Sequence, residues 1–317
     1  MSAPSKTIFA GEIRDRDQVD DLFLLKSAEI RQKKDSSPYI FSQIADASGT
    51  LGCYIWGIQG DGERVMQIAS TLQCGAVYRI CGQARDYNGG IQISVNEGIA
   101  ELDEPVESIE PSDFISSPVV EEDLKSRILG MANRINDPQL RDLVLNVIAT
   151  SDGYFTKPAA KMKHHEYPGG LAEHSLEVAT IAASMAGSVR GENDADLVIA
   201  GALLHDIGKT SCFEQQGLWY TARPEYDLIG HVTLGVTIVS RAAGHLAPET
   251  ASHLLHIIQS HHGPYGEVAC QTPEAWSVHL ADLSSATLRE ITDDQALLSA
   301  GTGTRSGKRI GGPVWRF

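Results

Sequence analysis

The segment His205-Asp206-Ile207-Gly208-Lys209 gathers an imidazole, a carboxylate and an ammonium directly after the apolar run 197–204. Burying an adjacent His and Asp at the end of an apolar helix is costly unless both find partners, and a divalent cation is one natural partner. Mixed imidazole and carboxylate donors suit manganese, iron, zinc or nickel better than calcium, whose shell is all oxygen. Taken alone, such a pair is more often a hydrogen-bonded helix terminus than a metal site. Its company changes that. His174 lies within an earlier helical pattern and Asp282 within a later one, while Gly230-His231 and Ser260-His261-His262-Gly263 bring further imidazoles. Lys209, just past a glycine able to end a helix, is a candidate to set its ammonium against a phosphate oxygen as charge builds there. His164 and His165 precede the first of these helices and are weaker candidates for phosphate contact.

The order His, His-Asp, Asp resembles the HD-domain metal-dependent phosphohydrolases over roughly residues 155–290, and His231 with His261-His262 resembles their two-metal branch. Pro158-Ala159-Ala160, His164-His165, Gly169-Gly170-Leu171, Glu173-His174-Ser175, Gly201-Ala202-Leu203-Leu204-His205-Asp206 and Ser260-His261-His262-Gly263 look like the YhaM-type 3′–5′ exoribonucleases. Those enzymes join an N-terminal OB fold to an HD domain. The resemblance implies one cation held by His174, His205, Asp206 and Asp282. It implies a second held by Asp206, His231 and His261, with His262 as an alternative or additional ligand. Asp206 would bridge, and Asp206 and Lys209 would be the catalytic residues. Two cations about 3.5 to 4 Å apart activate water and neutralise an in-line phosphoryl displacement. Manganese is the first choice, with iron, nickel or zinc as alternatives. Adjacent residues of a helix point about 100° apart, so the choice between His261 and His262 stays open, the other lining substrate or bonding a neighbouring group.

These residues need elements to place them. All 11 histidines fall between His164 and His279, so the two halves of the chain differ in chemistry. In the first half, 39–45 and 50–57 flank the turn composition Asp46-Ala47-Ser48-Gly49. Residues 77–85 alternate again and pass through Asn88-Gly89-Gly90 into 91–95, and 22–30 supplies an opening strand. About five strands in some 90 residues predict a small barrel of the OB type. Residues 104–120, rich in Pro and acids, read as an extended linker. Segments 124–133, 139–150, 170–187, 195–205, 231–243, 248–262 and 272–289 carry apolar residues at spacings of three and four. The fold class expected is therefore multidomain: an OB-type barrel in residues 1–103, an all-α HD bundle in 121–300, and a flexible Gly-rich basic tail in 301–317.

In the barrel, Leu51, Cys53 and Ile55 alternate with Tyr54 and Trp56, so one set faces outward. With Tyr78 and Tyr87, Tyr54 and Trp56 are candidates for a platform on which unpaired bases stack. The bland reading is that these rings fill the barrel core. His253 and His256 read as ordinary helix-face residues, His279 as packing or support behind a ligand, and His245 as a helix-end imidazole.

Composition narrows the function classes. A net charge of −15 is the wrong sign for unspecific duplex binding. The exception is the tail, where Arg305, Lys308, Arg309 and Arg316 meet no acid. Five scattered cysteines without a C-x-x-C spacing argue for reduced thiols. With no apolar stretch near the roughly 20 residues that span a bilayer and no leader-like N-terminus, the expectation is a cytoplasmic protein without membrane contact. The partner expected is single-stranded RNA, with single-stranded DNA as the alternative, and homo-oligomers are left open. Competing readings are an HD phosphohydrolase of nucleotides or cyclic dinucleotides, and an RNA-binding protein whose metal is structural.

Overall fold

Period-two alternation in the first hundred residues yields β1 (Gln18–Gln32), β2 (Pro38–Asp46) and β3 (Gly49–Ile55), then helix α1 (Gly62–Thr71), then β4 (Val77–Tyr87) and β5 (Gly90–Val95). The computed structural model describes residues 6–56, 62–87, 90–96, 102–115, 121–161, 165–296, 298–306 and 311–317. The strands close a barrel in the order β1-β2-β3-β5-β4. Closure depends on the long β1, which pairs with β4 through its first half and with β2 through its second. A register break between Leu25 and Ser27 bends it just past that exchange. β3 and β5 run parallel. Phe23, Leu25, Ile40, Ile44, Cys53, Ile55, Ile80 and Ile93 fill the interior, and Val65 and Ile68 of α1 join them.

Two expectations for this half need correction. Helix α1 carries no element in the sequence reading, although Val65 and Ile68 already show helical spacing. Over residues 104–115 the presumed linker is also packed rather than extended, and residues 116–120 lie outside the described residues. The Val106 amide donates to the Val77 carbonyl (2.8 Å) and the Ala47 amide to the Asp113 carbonyl (2.9 Å). Phe114 is buried with Leu22, Leu24, Val77 and Trp219. Leu22 and Leu24 alternate with Phe23 and Leu25, so β1 is apolar on both faces and its outer face needs this cover.

The chain divides into one unit of residues 1–116 with 214–221 and another of residues 117–213 with 222–317. The second unit contains α2 (Glu121–Ala132), α3 (Pro138–Thr150), α4 (Gly170–Ser188), α5 (Ala195–Leu204), α6 (Pro224–Leu228), α7 (His231–Ala242), α8 (Pro248–Ser260) and α9 (Pro273–Ala296). Every residue of α5 from Leu197 to Leu204 is buried, as suits a helix apolar on all sides. Asp194 caps it by accepting the Asp196 and Leu197 amides (3.0 and 3.1 Å).

The expected helical bundle is thus present, and the short strands are not part of it: the hairpin of β6 (Phe213–Gln216) and β7 (Trp219–Ala222) falls almost wholly in the first unit, and β8 (Thr302–Ser306) pairs antiparallel with β9 (Pro313–Arg316) near the C-terminus. Over residues 301–306 and 311–317 the expected flexible tail is instead a two-stranded ribbon held on the end of α9. Gln295 Nε2 donates to the Trp315 carbonyl (2.7 Å) and Arg316 Nη1 to that of Leu298 (2.8 Å). Its glycine content has a packing reason, since a Cβ on Gly303 would fall 2.3 Å from the Trp315 ring. Lys308, Arg309, Asn88 and Gly89 lie outside the described residues.

Candidate metal centre

Two of the histidines singled out by spacing stand at helix ends rather than within helices. α5 stops at Leu204 and α8 at Ser260, which makes His205 and His261 the C-terminal caps. Each turns its ring back on its own helix: His205 Nδ1 meets the Ala202 carbonyl and His261 Nδ1 that of Ile258, both at 2.7 Å. These bonds satisfy carbonyls that a helix end leaves open. They also put the ring proton on Nδ1, leaving the Nε2 lone pair free to face inward.

His174, one turn into α4, and Asp282, on α9, complete a first cluster with His205. His174 Nε2 lies 3.3 Å from His205 Nε2 and 3.1 Å from Asp282 Oδ1. The donor atoms of these three residues all lie within 4.8 Å of one another. A second cluster of the same tightness joins His231, His261 and His262, with His231 Nε2 3.3 Å from His262 Nε2. Both members of the His261-His262 pair therefore reach it. α8 has ended at this point, although both residues keep right-handed backbone angles, and the two rings approach to 4.3 Å between centroids.

Asp206 stands between the clusters, in the sparsely populated bridge region of backbone space (φ −104°, ψ 11°). Its Oδ2 faces His205 (3.4 Å) and His174 (3.7 Å), and its Oδ1 faces His231 (3.4 Å) and His261 (3.8 Å). One carboxylate thus offers one oxygen to each group. Glycine makes this possible: a Cβ on Gly208 would lie 1.9 Å from the His231 carbonyl oxygen, so only glycine lets the start of α7 close on the Asp206 turn.

The donor set fits divalent cations. Asp206 Oδ1 and His261 Nε2 are buried without a hydrogen-bond partner, which is expensive for a carboxylate oxygen. Imidazole lone pairs facing each other at 3.3 Å repel unless a cation or proton lies between them. Four of the five imidazoles are shifted toward the neutral form. Burial pushes His231 down to about 3, and burial together with the neighbouring His205 holds His261 well below the ordinary histidine range. Burial likewise lowers His262, and lowers His174 despite Asp282. His205 moves the other way: burial opposes its charge, but Asp206 more than offsets that. Burial would raise the Asp206 carboxyl, yet Lys209 and His205 hold it far below the usual range, and His174 does the same for Asp282. Neutral imidazoles beside ionised carboxylates are the ligand-competent forms.

Lys209 Nζ sits 2.5 Å from Asp206 Oδ2 and is largely buried, so its ammonium belongs to the carboxylate rather than projecting into solvent. Of the other candidates, His165 is buried behind His174 with Nε2 3.2 Å from Glu177 Oε2, and His164 lies outside the described residues. His253 meets Thr272 (3.0 Å), His256 accepts from the Gln271 amide (3.1 Å), and His279 Nδ1 meets the His261 carbonyl (2.7 Å). Sequence reasoning missed Glu177 and Ser285. The available signal was spacing, since each lies three residues beyond a ligand candidate on its own helix.

The barrel separates its candidate rings by strand parity. Cys53 and Ile55 are interior, while Tyr54 and Trp56 stack outside at 5.6 Å and 16°. Tyr39 approaches Trp56 at 4.5 Å and Phe41 approaches Tyr54 at 5.0 Å. The Arg31 guanidinium covers Phe41 (4.1 Å) and the Lys33 ammonium stands 5.3 Å from Trp56. Tyr78 is core, contrary to the platform reading, and Tyr87 is exposed.

Residues 171–287 match the family model of the HD domain, a stretch that contains His174, His205, Asp206, His231, His261, His262 and Asp282. The second unit carries an HD domain. Residues 24–99 match the model of the OB-fold nucleic acid binding domain. An HD domain indicates a metal-dependent phosphohydrolase, and its union with an OB fold supports a hydrolase that acts on nucleic acid. Among the described residues no helix is long and apolar enough to cross a membrane.

Proposed function

We propose that this chain is a metal-dependent 3′–5′ exoribonuclease that shortens single-stranded RNA, with His174, His205, Asp206 and Asp282 holding one cation and Asp206, His231, His261 and His262 a second. The observation that carries the two-cation part of the reading is the division of Asp206, one oxygen toward each histidine cluster, while the OB-fold match supports a nucleic-acid substrate. A bound pair of divalent ions, manganese foremost, would supply the Lewis acidity that activates water and offsets charge on the phosphoryl group. The chain's own residues supply the rest. The backbone-anchored rings of His205 and His261 keep their donor atoms fixed, which spares the site reorganisation during reaction. Lys209 holds Asp206 in place and adds a positive charge where phosphate oxygens gain negative charge. On the barrel, the rings of Tyr39, Phe41, Tyr54 and Trp56 offer flat, sequence-tolerant surfaces suited to unpaired bases.

The test is incubation of a 5′-labelled single-stranded oligoribonucleotide with manganese. The expected result is a ladder receding from the 3′ end, abolished by Asp206→Asn. An intact substrate on a chain shown to contain metal would overturn the activity. Faster turnover of mononucleotides or cyclic dinucleotides than of oligomers would replace the substrate assignment while keeping the site.

A further inference from the structure

We infer that Ser285 and Glu177 are positioning residues that fix His174 in the tautomer presenting Nε2 to the first cation, an inference resting on the metal reading above. Ser285 Oγ donates to Glu177 Oε2 at 2.7 Å. A carboxylate only accepts, so the single hydroxyl proton of Ser285 is committed there. The same oxygen lies 3.1 Å from His174 Nδ1 and is left to accept from it. The ring proton of His174 is therefore on Nδ1 and its lone pair on Nε2. That lone pair faces Asp282 Oδ1 at 3.1 Å and His205 Nε2 at 3.3 Å, a meeting of electron-rich atoms that a cation between them resolves.

The relay differs in kind from the anchors of His205 and His261, which are neutral backbone carbonyls fixed by the helix. His174 is backed by a carboxylate through a hydroxyl, an arrangement that raises ligand basicity as well as orienting the ring. Helix periodicity brings the relay together. Asp282, Ser285 and Arg289 follow at spacings of three and four on α9, and Glu173, His174 and Glu177 share one stretch of α4. Arg289 Nη2 donates to Glu173 (3.0 Å) and approaches Glu177 (3.4 Å), Tyr167 bonds Glu173, and His165 Nε2 lies 3.2 Å from Glu177. Glu177 is thus held from several sides, which keeps the Ser285 hydroxyl pointing away from His174.

The experiment titrates manganese into the full chain after chelator stripping and counts bound ions by equilibrium dialysis with elemental analysis. Ser285→Ala is expected to weaken one of the two ions by about 10- to 100-fold and leave the other unchanged. Ser285→Thr, which keeps the hydroxyl, should restore wild-type affinity. Glu177→Gln should weaken the same ion and serves if the alanine variant does not fold. Wild-type affinity for both ions in Ser285→Ala or Glu177→Gln, with His174→Ala impaired, would overturn the relay alone. Undiminished binding in His174→Ala as well, or no binding by the wild type, would overturn the metal reading and the relay with it.

Discussion

The two sites of this chain are built in opposite ways. In the HD domain, buried and half-buried donors converge from the ends and flanks of several helices, with the rings of His205 and His261 fixed through backbone carbonyls and that of His174 through buried Ser285. On the barrel, four half-buried aromatic rings lie along neighbouring strands and touch mainly one another and two cations. Under the proposed function, the contrast reflects what each task demands. Phosphoryl chemistry needs donor atoms held to a fraction of an ångström before substrate arrives, whereas gripping a variable strand needs flat surfaces that tolerate any base. Damage to the first region should therefore abolish function at single positions, and damage to the second should erode it in increments.

The largest effect is expected at Asp206. Asp206→Asn keeps the shape but removes the charge shared by both clusters, so hydrolysis should fall by at least about 100-fold, while oligoribonucleotide binding by the barrel persists. Comparing cleavage rate with fluorescence-anisotropy affinity on one variant checks both halves; a parallel loss of binding would erase the distinction between the regions. Next comes Gly208→Ala, whose added methyl meets the His231 carbonyl. It should move the start of α7, reduce manganese content and cut activity, though residue 208 offers no ligand. Unchanged metal content would show that α7 is not held by this close approach.

Trp56→Ala sharpens the barrel side. Loss of one stacking ring is worth roughly 1 to 3 kcal/mol, so affinity for a long single strand should drop several-fold or more while turnover of a dinucleotide is unaffected. A smaller effect concerns acid stability of the barrel. Burial would raise the Asp21 carboxyl, but bonds from the Thr7 hydroxyl and the Thr7, Ile8 and Leu22 amides keep it below the ordinary value. A carboxyl lowered in the folded state contributes stability that is full above its unfolded pKa of about 3.9 and is lost as pH falls through the folded value. Amide-exchange protection of Thr7 and Ile8 should thus survive to below about pH 4 in wild type. Asp21→Asn should lower that protection at neutral pH and remove its acid dependence. The slightest effect is ionic: if Arg31 and Lys33 are the cations that meet phosphate, the log–log salt slope should be only about −1 to −2.

The ligand candidates were legible because few jobs call for His, His-Asp and Asp in that order on apolar helices, and the barrel because Cys53 and Ile55 alternate with Tyr54 and Trp56. What stayed hidden depends on contacts distant in sequence. Ser285 and Glu177 have only their spacing from a ligand candidate to mark them until α4 lies against α9. β6 and β7 are too short to show a period, and the packing of Phe114 is invisible beside the prolines around it. Helix ends misled for a related reason: His205 and His261 continue the apolar pattern, yet their rings bond back to Ala202 and Ile258 and so close the helices they seem to extend. The Gly-rich tail was misread because composition cannot distinguish a glycine that loosens a chain from Gly303, which makes room for Trp315.

The central claim is that two cations share Asp206, and metal content per chain tests it most directly. After equilibration with manganese and removal of free ion, the wild-type chain should retain two ions and His231→Ala one. A wild-type chain that retains fewer than two, or a His231→Ala chain that still retains two, would contradict the account.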